Sequence, residues 1–143
     1  MDAKPLIVEC VYNVPIDKVW QALTDNDHLR QWYFQLDKFE PRIGFKFDFI
    51  GGADEGPKYL HLCEIIEVDE GALIAYSWKY DNYPGSSIVK WEIFEQGSNT
   101  WLKLTHTGIE TFADNGKDFQ KESFKAGWNY FLNDALKNFL QVL

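Results

Sequence analysis

Three histidines and two cysteines carry most of the side-chain chemistry available near neutral pH in this 143-residue chain. His28, His61 and His106 lie far apart, with no H-x-H or H-x-x-x-H spacing, and Cys10 and Cys63 form no Cys-x-x-Cys pair. A zinc site built from neighbouring ligands is therefore not expected. No G-x-S-x-G, P-loop or dinucleotide fingerprint occurs, and Gly51-Gly52 lacks the Lys-Ser/Thr and the following helix of a phosphate cradle. The expectation is a chain with no metal, no cofactor and no catalytic residue.

His106 shares its parity with Leu102 and Leu104, so it should point to the inner face of a strand. Two roles fit that position: a core histidine hydrogen-bonded to a neighbour, or a polar anchor inside a ligand cavity. A general base would need a partner carboxylate, and the sequence names none. His61 shares parity with Tyr59 and Cys63, but Leu60 and Leu62 make the opposite face apolar as well. The inward face of the Tyr59–Val68 strand is therefore undecided, and a bulge near Glu64 would reverse the parity midway.

The aromatic content of 17%, from six Trp, seven Tyr and eleven Phe, exceeds what an ordinary core needs. Such rings either interdigitate into a solid interior or line a hollow in it. The candidate wall consists of Trp32, Phe45, Phe47, Phe49, Trp91 and Trp128, with Tyr59, Tyr76 and His106 as polar groups that orient a flat or lipid-like guest.

The elements that must position these residues read as follows. Leu6 to Val14 alternates as a strand, and Pro15 opens a helix carrying Val19, Trp20 and Leu23 at helical spacing. Asp25 can cap a second short helix, Asn26 to Trp32. A strand is expected over Phe34–Phe39, then Pro41–Gly44 as a turn and Phe45-x-Phe47-x-Phe49 as the clearest period of two. Gly51 to Pro57 reads as a loop, Tyr59–Val68 and Leu73–Tyr80 as strands, and Asp81–Ser86 as a second loop. Val89, Trp91 and Ile93 then face inward, Gln96–Asn99 turns the chain, and Leu102, Leu104 and His106 close the series. From about Asp118 to Leu140, Phe124, Trp128, Phe131, Leu132, Ala135, Leu136 and Phe139 form an apolar stripe on one long helix, whose only glycine is Gly127.

This order predicts an α+β domain spanning residues 1–143: a curved antiparallel sheet of about six or seven strands, two short helices and a long C-terminal helix covering the sheet. The net charge of −8 argues against nucleic acid and against anionic surfaces bound through a basic patch, and the lack of a membrane-length apolar run argues against membrane insertion. With no leader pattern at Met1–Pro5, no membrane-length apolar run and two cysteines read as reduced core thiols, the expected compartment is the cytoplasm.

Pro15-x-x-x-Val19-Trp20-x-Ala22-Leu23-Thr24-Asp25, followed by Leu29-x-x-Trp32, resembles the opening of START-like proteins related to the activator of the heat-shock protein 90 ATPase. Leu73-x-x-Tyr76-x-Trp78, Val89-x-Trp91-x-Ile93 and Leu102-x-Leu104-x-His106-x-Gly108 are similar to that family's middle strands. Gly127-Trp128-x-x-x-Leu132-x-x-x-Leu136 is similar to its final helix. One departure is the single Gly44 before Phe45, where relatives often carry two glycines.

The resemblance implies a helix-grip fold, with a gap between helix and sheet that can hold an apolar ligand. It leaves two kinds of partner open: an apolar small molecule in the interior, or a chaperone or other protein at the surface. The first, as a non-enzymatic binding module, is the primary expectation. A cyclase- or aromatase-like enzyme would further require an acid–base pair in the cavity.

Overall fold

The computed structural model describes residues 3–52 and 55–142; Ala53 and Asp54 of the Gly51–Pro57 loop lie outside the described residues. Strand β1 spans Leu6–Tyr12, with Leu6, Val8 and Tyr12 buried at alternate positions. Pro15 sits at the N-cap of helix α1, Ile16–Thr24, whose Val19, Ala22 and Leu23 turn inward. Asp25 ends that helix and starts the next: its Oδ1 accepts from the amides of Asp27 at 2.9 Å and His28 at 3.3 Å. Helix α2 accordingly covers Asn26–Trp32, and the Trp32 indole N–H ties it to α1 by donating to the Ala22 carbonyl at 2.8 Å.

Residues 34–39 are not a strand. The Leu36 carbonyl accepts from Arg30 Nε at 2.7 Å, and the Asp37 carbonyl accepts from Arg30 Nη2 at 2.9 Å and Asn26 Nδ2 at 3.2 Å. Helix side chains thus occupy the acceptors a neighbouring strand would need, and the segment becomes a loop that carries Phe34 into the interior.

Five strands follow: β2 Lys46–Gly51, β3 Tyr59–Asp69, β4 Leu73–Tyr80, β5 Tyr83–Gln96 and β6 Asn99–Thr107. The sheet is antiparallel throughout, in the order β1-β6-β5-β4-β3-β2, so the first strand pairs with the last. The expected Asp81–Ser86 loop shrinks to Asp81-Asn82, because Tyr80 pairs with Tyr83 and β5 begins there. Pro84 is tolerated so early in the strand because this stretch bonds away from β4: its carbonyl accepts from Asn115, and the Ser86 amide donates to Thr111 Oγ1 at 2.9 Å. A side chain at Gly85, φ +116°, would collide with the Phe112 ring 2.4 Å away, so only glycine lets this edge sit on that ring.

In β3, His61, Cys63 and Ile65 face inward until the register shifts between Ile65 and Glu67. The open question of that strand is settled by the bulge: odd positions are buried before it, and Val68 turns inward after it.

After β6 the chain makes two 3-10 segments, Ile109–Asn115 and Lys117–Phe119, that no periodicity announced. The long C-terminal helix then runs as α3 Lys121–Tyr130, a π turn Phe131–Ala135 and α4 Leu136–Gln141, correcting the expectation of an uninterrupted α-helix from Asp118. It lies in the concavity of the sheet, burying Phe124, Trp128, Leu132, Leu136, Phe139 and Leu140. The Tyr12 hydroxyl of β1 donates to the Leu132 carbonyl inside the π turn at 2.6 Å.

Candidate ligand cavity

The interior divides into a filled half and an open half. In the filled half, Trp32, Phe47, Tyr76 and Trp91 meet Tyr33 and Leu36 around a void of only about 10 Å³, room for roughly one water. The Trp91 indole N–H donates to the Tyr76 hydroxyl at 3.0 Å, and that hydroxyl shares a 2.9 Å hydrogen bond with Tyr33. Burial drives both phenols well above their usual pKa, so they stay neutral. Phe49 packs behind Phe34 at 4.2 Å and His61 at 4.5 Å between ring centres, whereas Phe45 lies under the Arg42 guanidinium. These five candidates from the sequence, Phe45 and Phe49 together with Trp32, Phe47 and Trp91, pack the core, as does Tyr76.

The open half is a cavity of about 680 Å³ between the helix and the β2–β4 end of the sheet, open to solvent on one side. That volume lies within the 300–1,000 Å³ range of small-molecule sites. Tyr59 and Trp128 are the two sequence candidates that line it. Most of the wall was not named as a candidate wall from the sequence: Phe34, Trp78, Tyr80, Phe119, Phe124 and Phe131, together with His61, whose facing was undecided there. A signal existed for some of these. Trp78 and Tyr80 share the parity of Tyr76, and Phe124 and Phe131 sit one turn either side of Trp128 on the helix stripe.

Local geometry explains how the wall is held open. Gly51 ends β2 where a Cβ would lie 2.6 Å from the Phe34 ring, so the backbone approaches that ring closely. Gly127 lines the cavity from the helix, and a Cβ there would meet no atom within 4 Å. The Trp78 indole N–H donates to the Tyr80 hydroxyl at 2.8 Å. The proton of that hydroxyl has no acceptor among the described residues, so it can donate to a guest.

His106 lies one layer behind the wall, fully buried. Its Nδ1 accepts from the Trp128 indole N–H at 3.0 Å, which leaves the proton on Nε2 to donate to Ser87 Oγ at 2.8 Å. Ser87 passes its own proton to the Trp78 carbonyl at 3.1 Å. Both ring nitrogens of His106 are thus satisfied, and burial pushes the imidazole pKa down to about 3. His106 is thereby a neutral strut that fixes the orientation of Trp128. His61 does line the cavity; burial lowers it to about 4, opposed by the Tyr59 and Phe49 carbonyls, and its Nδ1 donates to the Tyr59 carbonyl at 3.0 Å.

At the rim, the Tyr59 hydroxyl donates to Asp118 Oδ2 at 2.7 Å, linking β3 to the segment before α3. The hydrogen bond to this carboxylate, with some burial, raises the Tyr59 pKa to about 12. Among the described residues no three His, Cys, Asp or Glu side chains converge as a metal site, and no helix is long and apolar enough to cross a membrane.

The pattern of the family described as Activator of Hsp90 ATPase homolog 1-like protein matches residues 13–141, nearly the whole chain. The chain belongs to this family. Members of the same fold among solved structures include protein MLL2253 from Mesorhizobium loti, at 23% identity and a TM-score of 0.75, with 97% of this chain covering 98% of that one. CalU16 from Micromonospora echinospora is similar at 24% identity and TM-score 0.71, over 96% of this chain and 74% of that one. DynU16, a putative protein in the dynemicin biosynthetic locus, aligns at 20% identity and TM-score 0.77 over 99% of this chain; the chain spans 48% of its length. At these identities the shared property is the helix-grip fold. No curated protein sequence matches the chain.

Proposed function

We propose that this domain of the Hsp90 ATPase activator-like family binds an apolar, ring-bearing small molecule in the 680 Å³ cavity and does no covalent chemistry on it. The observation that carries this reading is the wall itself. Nine of its sixteen residues are Phe, Tyr or Trp, so the cavity offers ring faces for stacking and few groups for proton transfer. The two histidines nearest the cavity support binding over catalysis: both ring nitrogens of His106 are taken by Trp128 and Ser87, and His61 has no carboxylate partner in the wall. Because Trp78 and Trp128 are part of the wall, a neutral planar probe such as N-phenyl-1-naphthylamine should quench tryptophan fluorescence saturably, with one site per chain. Linear, non-saturating quenching would refute the proposal.

A protein-docking role rests on a different observation. Val11, Trp101 and Phe94 lie in register across β1, β6 and β5 on the convex face, with the Phe94 and Trp101 rings 4.7 Å apart. If this row docks on a chaperone, Phe94→Ser with Trp101→Ser abolishes capture of purified heat-shock protein 90 and leaves probe binding intact. Capture that survives both substitutions would dismiss the row.

A further inference from the structure

The charge lining the cavity narrows the chemistry of its guest. Among the described residues the wall contains no Lys or Arg, and its one charged side chain is Asp118. Asp118 is exposed at the rim, and only its Oδ2 is engaged, by the Tyr59 hydroxyl. Its Oδ1 accepts no hydrogen bond from a described residue. Lys58, next to Tyr59 in the chain, does not line the cavity, and its Nζ donates to the Gly52 carbonyl at 3.4 Å.

The one ring that touches this carboxylate, Tyr59, packs against two others. Phe119, which follows Asp118, has its centre 4.9 Å from that of Tyr59 and 4.9 Å from that of Tyr80, and the Tyr59 and Tyr80 centres are 6.1 Å apart. All three line the cavity. A carboxylate held at the edge of a group of aromatic rings is the arrangement that recognises an organic ammonium: the ring faces attract the cation within about 6 Å, and the carboxylate supplies the opposite charge. An anionic guest would meet the opposite field, from Asp118 locally and from the net charge of −8 at longer range.

Resting on the ligand-binding reading above, we infer that the guest is a cation: an apolar ring body seated among Trp78, Phe124 and Trp128, with an ammonium group at the Tyr59–Asp118 rim. Tyr59 then has two tasks, to aim the carboxylate and to present its ring.

Three probes with one ring body separate this inference from the reading beneath it: 2-naphthylmethylammonium, 2-naphthalenemethanol and 2-naphthoate, titrated by calorimetry and tryptophan fluorescence. The ammonium is expected to bind at least tenfold tighter than the alcohol, and the carboxylate weakest. Raising NaCl from 50 to 500 mM should narrow the gap between ammonium and alcohol, and Asp118→Asn, which keeps an acceptor for Tyr59, should bring their affinity ratio to within threefold. If the alcohol binds and the ammonium is no tighter, or if its advantage survives in Asp118→Asn, the cationic guest is refuted while the apolar cavity stands. If none of the three binds, the ligand-binding reading fails and this inference with it.

Discussion

The buried histidines make stability depend on pH in a window that can be worked out beforehand. His106 is held down at about 3 and His61 at about 4, against 6.5 for an unperturbed imidazole. Both folded values lie below the unfolded one, so below pH 6.5 the unfolded chain takes up protons that the folded chain refuses. Stability is therefore complete above about pH 7 and is lost as pH falls through 6.5 towards 4. Between pH 7 and pH 5 each imidazole removes about 2 kcal/mol, or about 4 kcal/mol together, a large share of the 5–15 kcal/mol of a typical domain. Urea unfolding at half-unit steps of pH measures this directly. His106→Gln keeps an acceptor for Trp128 and a donor for Ser87, so the variant should fold and lose about half of the pH slope. Imidazole ¹⁵N shifts give a reading that needs no variant: His106 should hold its Nε2–H tautomer unchanged down to pH 4.5. A wild-type slope in His106→Gln, or an imidazolium signal from His106 at pH 5.5, would refute the account of this residue as a neutral strut.

Three further perturbations separate the cavity from the core. Gly127→Leu places a side chain where a Cβ meets nothing within 4 Å; it should stabilise the helix by up to about 1 kcal/mol in thermal unfolding yet weaken binding of the neutral naphthyl probe at least tenfold. Trp128→Phe keeps a ring but removes the donor to His106 Nδ1, and should lower urea stability by about 1–3 kcal/mol through the stranded acceptor. Asp25→Ala removes the cap of α2 and should cost about 1 kcal/mol in the same assay, with probe affinity unchanged.

Much of the architecture was legible from local signals because local physics decided it. The Asp25 cap fixed the start of α2, and strict alternation marked the inner faces of β2, β5 and β6. The errors have one origin, in partners that are distant or that sequence parity does not reveal. Phe34–Phe39 had the apolar content of a strand, but Arg30 and Asn26 claimed its carbonyls. The inward face of β3 hung on a bulge between two runs that are both apolar. Of the candidate wall only Tyr59 and Trp128 line the cavity, for a related reason. Alternation tells which face of a strand is buried, but not how far along the strand the helix lifts away. Phe47 and Trp91, with strong alternation, lie around the small void under α2 and the loop that follows it, and Phe45 packs on Phe39 of that loop, whereas the cavity is walled by the far ends of β3 and β4 and by Phe34.

The π turn explains why one stripe of the helix can serve both halves. Phe124, Trp128, Leu132, Leu136 and Leu140 recur at every fourth residue. On an α-helix of 3.6 residues per turn, each such step overshoots a full turn by about 40°, so four steps would swing Leu140 roughly 160° away from Phe124. A π segment advances by fewer degrees per residue, with roughly 4.4 residues per turn, and five residues of it return about 90° of that drift. Phe131–Ala135 is such a segment, with the Leu136 amide bonding five residues back to the Phe131 carbonyl. Phe124 and Trp128 before the turn can then face the cavity while Leu132 within it and Leu136 and Leu140 beyond it stay in the core. The turn sits at the cavity's edge, with Tyr130 and Phe131 in the wall and the Tyr12 hydroxyl holding Leu132 from β1. The same device that keeps the stripe in phase therefore sets where the solid interior ends and the cavity begins.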